Sequence, residues 1–228
     1  MTSFEQPDVS RRSLSFEFFP PKSTEATLAL WRSVERLAPL SPRFVSVTYG
    51  AGGTTRDRTK AAIRTIRDRA RLAVAGHLTC VGASREETLQ VAADYAAIGV
   101  RRIVALRGDP PKGADRFEPH PEGFSGSVEL VAALAKKGFE VAVGAYPEQH
   151  PEARSVEDDV MMLKAKVDAG ASSAITQFFF NPDVFLRFRD KCAAAGIDIP
   201  IRPGILPVED FARMRRFAGA CGATVPTW

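Results

Sequence analysis

The sequence has few of the residues that build disulfide frameworks and metal centres. It contains three cysteines and three histidines among 228 residues. Cys80, Cys192 and Cys221 are odd in number and far apart, which disfavours both a disulfide scaffold and a cysteine-rich zinc site. The histidines show no metal-ligand spacing, so we predict no metal. Cysteine usage of this kind favours the reducing cytoplasm.

Long apolar runs and a strong charge excess are also missing. No segment approaches the roughly 20 apolar residues of a membrane-spanning helix, so we predict no contact with a membrane. Residues 1–12 are polar and unlike a secretory signal. We interpret them as a flexible lead-in to a single domain over residues 13–228. The net charge is +4 with interleaved signs, which does not indicate the clustered basic face of a nucleic-acid-binding protein.

Short β-branched and aromatic runs alternate with longer amphipathic stretches along the whole chain. The predicted strands are Leu14–Phe19, Phe44–Tyr49, Val74–Val81, Arg102–Leu106, Glu140–Tyr146, Ser173–Phe179 and Pro200–Ile205. The predicted helices are Thr24–Leu37, Arg58–Arg71, Arg85–Ile98, Ser127–Lys137, Val156–Ala169, Pro182–Ala195 and Val208–Ala218. Seven β–α units of this kind require a parallel sheet with crossover helices.

Two α/β architectures fit such a pattern, an open doubly wound sheet and a closed TIM (β/α)8-type barrel. The open sheet usually carries a G-x-G-x-x-G fingerprint after an early strand. Gly50–Thr55 comes nearest, but Thr55 occupies the third glycine position. The barrel explains more, because it gathers strand ends on one face, and polar residues lie near predicted strand ends at Glu17, Thr48, His77, Arg107, Asp109, Tyr146, Glu148, Gln177 and Arg202.

Glu17 is the sharpest single signal, since it is an acid within the apolar run Phe16–Phe19. Desolvation by these aromatic neighbours would raise its pKa, and such a carboxyl can act as a general acid near pH 7. The alternative is a structural glutamate that faces the barrel interior and pairs with an arginine.

Arg107 and Asp109 flank Gly108 at the end of a predicted strand, where glycine lets the backbone approach a ligand closely. Asp109 could accept hydrogen bonds from a heterocycle, and Arg107 could bind a phosphate. The alternative is a plain turn closed by a salt bridge. His77, taken alone, is more typical of a hydrogen-bonded structural histidine than of a catalyst.

Ordered motifs extend along nearly the whole chain, from Ser13 to Trp228. They are Phe16–Pro21, Phe44–Gly50, His77–Cys80, Leu106–Asp109, Ala145–Glu148, Lys166–Gly170 and Ile175–Phe180. In this order they resemble methylenetetrahydrofolate reductase of the bacterial type.

The resemblance implies a flavin-containing TIM barrel that is an oxidoreductase of one-carbon metabolism and methionine biosynthesis. NADH or NADPH would reduce FAD, and FAD would in turn reduce 5,10-methylenetetrahydrofolate to 5-methyltetrahydrofolate in a ping-pong reaction. We therefore expect a cytoplasmic homo-oligomer with a small-molecule substrate. Two alternatives stay open: a flavin-free or specialised folate one-carbon reductase, and a truncated, non-catalytic barrel.

The resemblance also assigns roles to individual residues. Glu17 matches the general acid that protonates the bridging amine of the folate, and Asp109 matches a carboxylate near both pterin and flavin. Gln177 and Phe217 match residues that contact the substrate. The positions that match FAD contacts are Thr48, Tyr49, Ala51, His77, Arg107, Gly108, Asp109, Tyr146, His150, Ala153, Asp159 and Lys166.

The sequence departs from the family at several positions. Met162 and Ala165 replace polar or basic residues in the flavin-binding helix, which leaves Lys164 or Lys166 to cover the diphosphate. Arg213 stands where a folate-contacting amide is expected. The family also continues with an eighth β–α unit after the seven found here, so we expect the barrel to lack that unit and to be less stable than an extended form.

Overall fold

A computed structural model describes residues 13–50, 55–110, 113 and 116–227. Its strands are β1 (Ser15–Phe18), β2 (Phe44–Val47), β3 (Val74–Thr79), β4 (Arg102–Leu106), β5 (Glu140–Ala145), β6 (Ser173–Phe178) and β7 (Ile201–Gly204). Its α-helices are α1 (Thr24–Leu37), α2 (Arg56–Ala70), α3 (Arg85–Ala97), α4 (Ser127–Lys136), α5 (Val156–Asp168), α6 (Pro182–Ala194) and α7 (Phe211–Ala220). Every predicted strand and helix is therefore present.

The seven strands form one parallel sheet in the order β1 to β7, so each strand pairs with the next along the chain. Each connection is a crossover that carries a helix. Within the described residues, β1 and β7 are paired on one side only. The predicted α/β fold of TIM-barrel type lacking one unit is confirmed.

Successive side chains of each strand point to opposite faces of the sheet, so the strands contribute to two apolar layers, one on each face. Phe16, Phe18, Val45 and Val47 pack into the large core between the strands and the helices. Residues at alternate positions face the other side of the sheet, where Phe44 packs with Ala75, Val104 and Ala142 in a small inner cluster. Glu17, Ser46 and His77 have the same parity as this inner set and face the barrel interior.

Side-chain caps fix where most helices begin. Ser84 accepts a hydrogen bond from the backbone N–H of Glu87, whose carboxylate accepts one from the N–H of Ser84, which makes a capping box at α3. Asn181 caps α6 directly before Pro182. Asp210 caps α7, and for that reason α7 begins at Phe211 rather than at the predicted Val208.

One further detail differs from the sequence predictions. Arg202 is the second residue of β7 and pairs in register with Ile175. Burial, followed by the charges of Arg43 and Arg102, lowers its pKa. These neighbours lie at the amino ends of β2 and β4, so Arg202 belongs to the opposite end of the barrel from the predicted site. In the described part of the chain, no helix is long and apolar enough to cross a membrane.

Candidate active site

A cavity of about 660 Å³ opens at the carboxyl ends of β3, β4 and β5 and runs along α5. A volume of this size suits a small-molecule or cofactor ligand. Its wall contains most of the residues that the family resemblance assigns to the cofactor, which are Tyr49, Arg107, Gly108, Asp109, Tyr146, His150, Ala153, Asp159 and Lys166. Residues that are more than 110 positions apart in sequence thus meet at one end of the sheet.

Arg107 is held at the cavity mouth by Glu152. Two guanidinium nitrogens donate to the two carboxylate oxygens at 2.7 and 2.6 Å, and the guanidinium carbon lies 4.8 Å from the ring centre of Phe117. The hydrogen bond to Glu152 raises the pKa of Arg107. Of the two alternatives for this segment, the ion pair exists, but its acid is Glu152 rather than Asp109.

Lys166 carries a buried amino group into the cavity. The residue is 8% exposed, and its Nζ donates to the carbonyl oxygen of Gly144 at 3.1 Å. Burial lowers the pKa of Lys166 to about 8, and the opposing charge of Asp159 offsets this only in part. Lys164, the other candidate for the diphosphate, instead pairs with Asp168 one helical turn further along α5.

His150 and Asp159 link the loop after β5 to the first turn of α5. The backbone N–H of His150 donates to the carboxylate of Asp159 at 2.7 Å. Burial raises the pKa of Asp159 and lowers the pKa of His150. The His150 ring lies edge-on to Tyr146, with 4.6 Å between ring centres. The loop is therefore ordered by contacts within the site itself.

The turn after β4 depends on the glycine at position 108. Gly108 has φ of +91°, and a Cβ there would lie 2.5 Å from Cγ1 of Val81. Both the left-handed backbone and the close approach require glycine. Thr79, at the end of β3, also lines the cavity, and its buried hydroxyl has no hydrogen-bond partner among the described residues.

Glu17 lies on β1, with its side chain 49% exposed. Its Oε2 is 3.2 Å from Nε2 of His77 and accepts a hydrogen bond from Ser46 Oγ at 3.5 Å. Burial raises the pKa of Glu17, but the contact with His77, the charge of His77 and the Ser46 hydroxyl outweigh it, so the net shift is downward.

The expectation that Glu17 has a raised pKa is therefore wrong. Burial does act in the expected direction, but the contact with His77 and the charge of His77, which the sequence did not reveal, outweigh it. Phe16 and Phe18 point to the outer core, whereas Glu17 points inward, toward His77. The alternative was a structural glutamate that faces the barrel interior and pairs with an arginine. The side chain does face the interior, but its partner is a histidine rather than an arginine.

Gln177 and Phe217 lie on the β6–α7 side. Gln177 lines a small recess with Tyr146 and Cys221, and its side-chain oxygen accepts a hydrogen bond from the backbone N–H of Phe178 at 3.0 Å. Phe217 stacks on Phe178, with 5.6 Å between ring centres. Its other surroundings are open, because 44% of the residue is exposed.

Some predicted cofactor positions do not line the cavity. Thr48 follows β2, where its backbone N–H donates to the carbonyl oxygen of Phe18 at 2.9 Å. His77 is buried and faces Glu17. Ala51 lies outside the described residues.

Other cavity residues were missed from the sequence. Thr79 shares the parity of His77 on β3, so strict alternation was the signal that could have found it. Glu152 gave no such signal, because its partner Arg107 is 45 positions away. The two departures in α5, Met162 and Ala165, do line the cavity.

The arrangement suits a polar ligand that brings negative charge. The buried amino group of Lys166 and the guanidinium of Arg107 face the same space, and the unpartnered hydroxyl of Thr79 offers a hydrogen bond. A dinucleotide phosphate would supply an acceptor for the Lys166 amine and the Thr79 hydroxyl, and would compete with Glu152 for Arg107. Within the described ranges, no group of three or more His, Cys, Asp or Glu side chains could hold a metal ion.

Comparison with known sequences gives a consistent result over the whole chain. The profile of the family described as "Methylenetetrahydrofolate reductase" matches residues 4–228. The chain is 50% identical over 216 residues to 5,10-methylenetetrahydrofolate reductase of Escherichia coli K12, covering 95% of this chain and 71% of that protein. It is 35% identical to "Methylenetetrahydrofolate reductase (NADH) 1" of Arabidopsis thaliana, covering 96% of this chain and 39% of that one.

Comparison with solved structures supports the fold alone. The triclinic crystal structure of 2,3-dimethylmalate lyase, a PEP mutase/isocitrate lyase superfamily member, superposes with a TM-score of 0.55 at 12% identity. The match covers 91% of this chain and 78% of that one. At this identity the likeness concerns the arrangement of strands and helices and carries no information on substrate.

Proposed function

Because this chain belongs to the methylenetetrahydrofolate reductase family, whose members reduce a folate-bound one-carbon unit to the methyl level, we propose that it performs this reaction with FAD as cofactor and NADH or NADPH as reductant. The observation that carries the proposal is the cavity at the ends of β3–β5, with its buried Lys166 and its glycine turn at Gly108. Both features fit a dinucleotide, and Glu17 supplies an acid on the same inner face of the sheet.

Different cavity residues would contact different parts of the cofactor. Lys166 and Arg107 would neutralise the diphosphate, for which Arg107 exchanges part of its contact with Glu152. Gly108 lets the turn after β4 pack closely against Val81 and Thr79 at the cavity wall, and Thr79 would donate its free hydroxyl. When bound, FAD supplies two-electron transfer between the nicotinamide and the folate.

Glu17 acts on the folate. It would protonate the bridging amine nitrogen of 5,10-methylenetetrahydrofolate, so that the five-membered ring opens to a cationic iminium, the form that accepts hydride. Asp109, on the exposed rim beside Gly108, would stabilise that positive charge. Gln177 and Phe217 would hold the pterin, through an amide contact and through stacking.

The two substrates would use one site in turn, which gives ping-pong kinetics. The Arabidopsis relative carries NADH in its name, which supports NADH as the first reductant to test. The open surroundings of Phe217 leave room for either ring system against the same aromatic face.

Purification and a spectrum test the proposal first. The protein should be yellow, with the absorbance bands of a bound flavin, and NADH should bleach them. NADH oxidation should then be supported by a quinone acceptor and by methylenetetrahydrofolate in separate assays. Colourless protein that still reduces folate would indicate a flavin-free reductase. Absence of both oxidations would indicate a non-catalytic barrel and would contradict the proposal.

We further propose a cytoplasmic homo-oligomer. Cys80, Cys192 and Cys221 are all free thiols in the structure, which suits a reducing compartment. Light scattering after gel filtration measures the assembly directly, and a mass equal to that of one chain would contradict it.

A further inference from the structure

His77 is a buried histidine whose contacts point to the acid rather than to the cofactor. Its side chain is 7% exposed, and Nε2 lies 3.2 Å from Oε2 of Glu17. Within the described residues this Nε2 makes no hydrogen bond of good geometry. The carboxylate of Glu17 is the acidic group in contact with it. His77 is absent from the lining of the cavity that fits the cofactor.

The strands hold the two side chains together. Glu17 stands in register with Ser46 across β1 and β2, and His77 lies on β3 two residues beyond the partner of Ser46, Ala75. The Tyr95 hydroxyl of α3 donates to the backbone carbonyl of His77 at 3.1 Å. This hydrogen bond fixes the backbone of His77. Strand pairing and this bond, both within the protein, therefore determine the position of the imidazole ring.

A general acid must carry a proton when the substrate binds, and a carboxyl such as that of Glu17 is ordinarily deprotonated at neutral pH. An unperturbed glutamate has a pKa of about 4.3, whereas an imidazole has one of about 6.5. Contact with His77, the charge of His77 and the Ser46 hydroxyl lower the pKa of Glu17 further, against the effect of burial, so the carboxyl of this pair is ionised when the folate arrives. The proton that the amine needs must therefore be stored on a neighbouring group.

We propose that His77 is a positioning residue that stores this proton, so that His77 and Glu17 hold one exchangeable proton between Nε2 and Oε2. The inference rests on the proposed function. Glu17 passes the proton to the bridging amine nitrogen of the folate, the bond from that nitrogen to the one-carbon unit breaks, and its electron pair stays on the nitrogen. The pair is left as a neutral imidazole and a carboxylate, and water returns a proton at the exposed side of Glu17.

The neighbours of the pair leave it free to titrate as a unit. From β2, Ser46 contributes a neutral hydroxyl. From α3, Tyr95 reaches only the backbone of His77, and burial raises the pKa of its phenol, which stays neutral. Of the charged groups in the described residues, His77 is the one whose charge shifts the pKa of Glu17.

Rapid-mixing measurement of the two half-reactions across pH tests the proposal in the flavin-loaded enzyme. In His77→Asn, folate reduction at pH 7.5 should fall by about 10–100-fold, and by more than flavin reduction by NADH, because the proton is then held by a carboxyl rather than by an imidazole and the folate profile moves to lower pH. His120→Asn is the matched control, since it makes the same change at a histidine that does not line the cavity, and should leave both rates unchanged. An unshifted folate profile in His77→Asn, or equal losses in both half-reactions, would overturn the proposal.

A second measurement decides the matter if His77→Asn does not fold or does not hold flavin. The imidazole of His77 is titrated by NMR in the native enzyme and in Glu17→Gln. Loss of the neighbouring carboxylate should lower the pH at which His77 titrates by at least one unit, and an unchanged titration would overturn the proposal. Coupled titration in an enzyme that does not reduce folate would instead locate the failure in the proposed function.

Discussion

The two sides of the inner sheet surface are built differently. Around β3–β5, charged groups are paired and partly buried, as in the contacts of Arg107 with Glu152 and of Asp159 with the backbone of His150. Within the described residues, β1 and β7 each pair with a strand on one side only. Large apolar side chains are exposed nearby at Phe19, Ile205, Phe211 and Phe217. The first region is a formed cavity, whereas the second is an open surface.

This difference separates cofactor binding from folate chemistry. A cavity with its polar groups already placed binds a ligand with little reorganisation. An open surface gains its shape from the substrate or from further structure. We therefore expect substitutions at β3–β5 to act on flavin affinity, and substitutions at the β1 and β7 side to act on folate turnover with the flavin still bound.

The largest effect is expected for Glu17→Gln. The change should spare flavin reduction by NADH and slow folate reduction by about 10²–10⁴-fold, because only the folate step needs a proton delivered to a leaving amine. Rapid-mixing measurement of each half-reaction checks this. Equal losses in both would show that Glu17 serves the flavin side, which would break the separation of the two regions.

The sequence predicted the fold well and the site unevenly, for reasons seen in particular residues. Period-2 runs and cap residues such as Ser84 act locally, so the strands and helices could be found from short windows. The surroundings of Glu17 could not, because His77 is 60 positions away and reaches it only when β1, β2 and β3 lie side by side. Neighbours in sequence, such as Phe16, indicated only the burial that raises the pKa of Glu17 and gave no sign of the distant histidine that lowers it.

Lys166→Met should have the next largest effect. It should weaken flavin binding but raise the stability of the flavin-free protein. Loss of the charged group should weaken flavin binding about 10–100-fold, since hydrogen bonds to charged groups contribute roughly 1.5–3 kcal/mol. The flavin-free protein should become more stable at pH 7, because the charged amine no longer has to be buried. Flavin titration and thermal unfolding of the flavin-free form measure the two effects. Weaker flavin binding with lower stability would mean that Lys166 mainly supports the fold.

The same lysine predicts a pH dependence for the flavin-free protein. The folded-state pKa of about 8 lies below the ordinary value of 10.5, so the unfolded state binds more protons between these limits. Stability should therefore rise as pH increases from about 8 to about 10.5, by at most about 3 kcal/mol. In Lys166→Met this rise should be absent, and denaturant unfolding at several pH values would show whether it is.

A smaller effect is expected for Asp109→Asn, at the border between the two regions. FAD should stay bound and become easier to reduce, because a nearby carboxylate opposes added negative charge. Folate reduction should slow by roughly tenfold, since the iminium cation loses a stabilising charge. A spectroelectrochemical titration gives the flavin midpoint potential, and an unchanged potential would remove the charge argument.

The smallest effect should come from Glu152→Gln, which tests whether the cavity is fully prepared for its ligand. Glu152 occupies the guanidinium of Arg107 through two hydrogen bonds, so a bound phosphate has to displace it in part. The variant should bind flavin about threefold more tightly, while its stability falls by less than about 1 kcal/mol, because partly exposed ion pairs contribute little. Glu118→Gln is a matched control, since it breaks the exposed Arg116–Glu118 pair and should leave flavin affinity unchanged. If Glu152→Gln instead weakens flavin binding, Glu152 holds Arg107 in its binding position and is itself part of the prepared cavity.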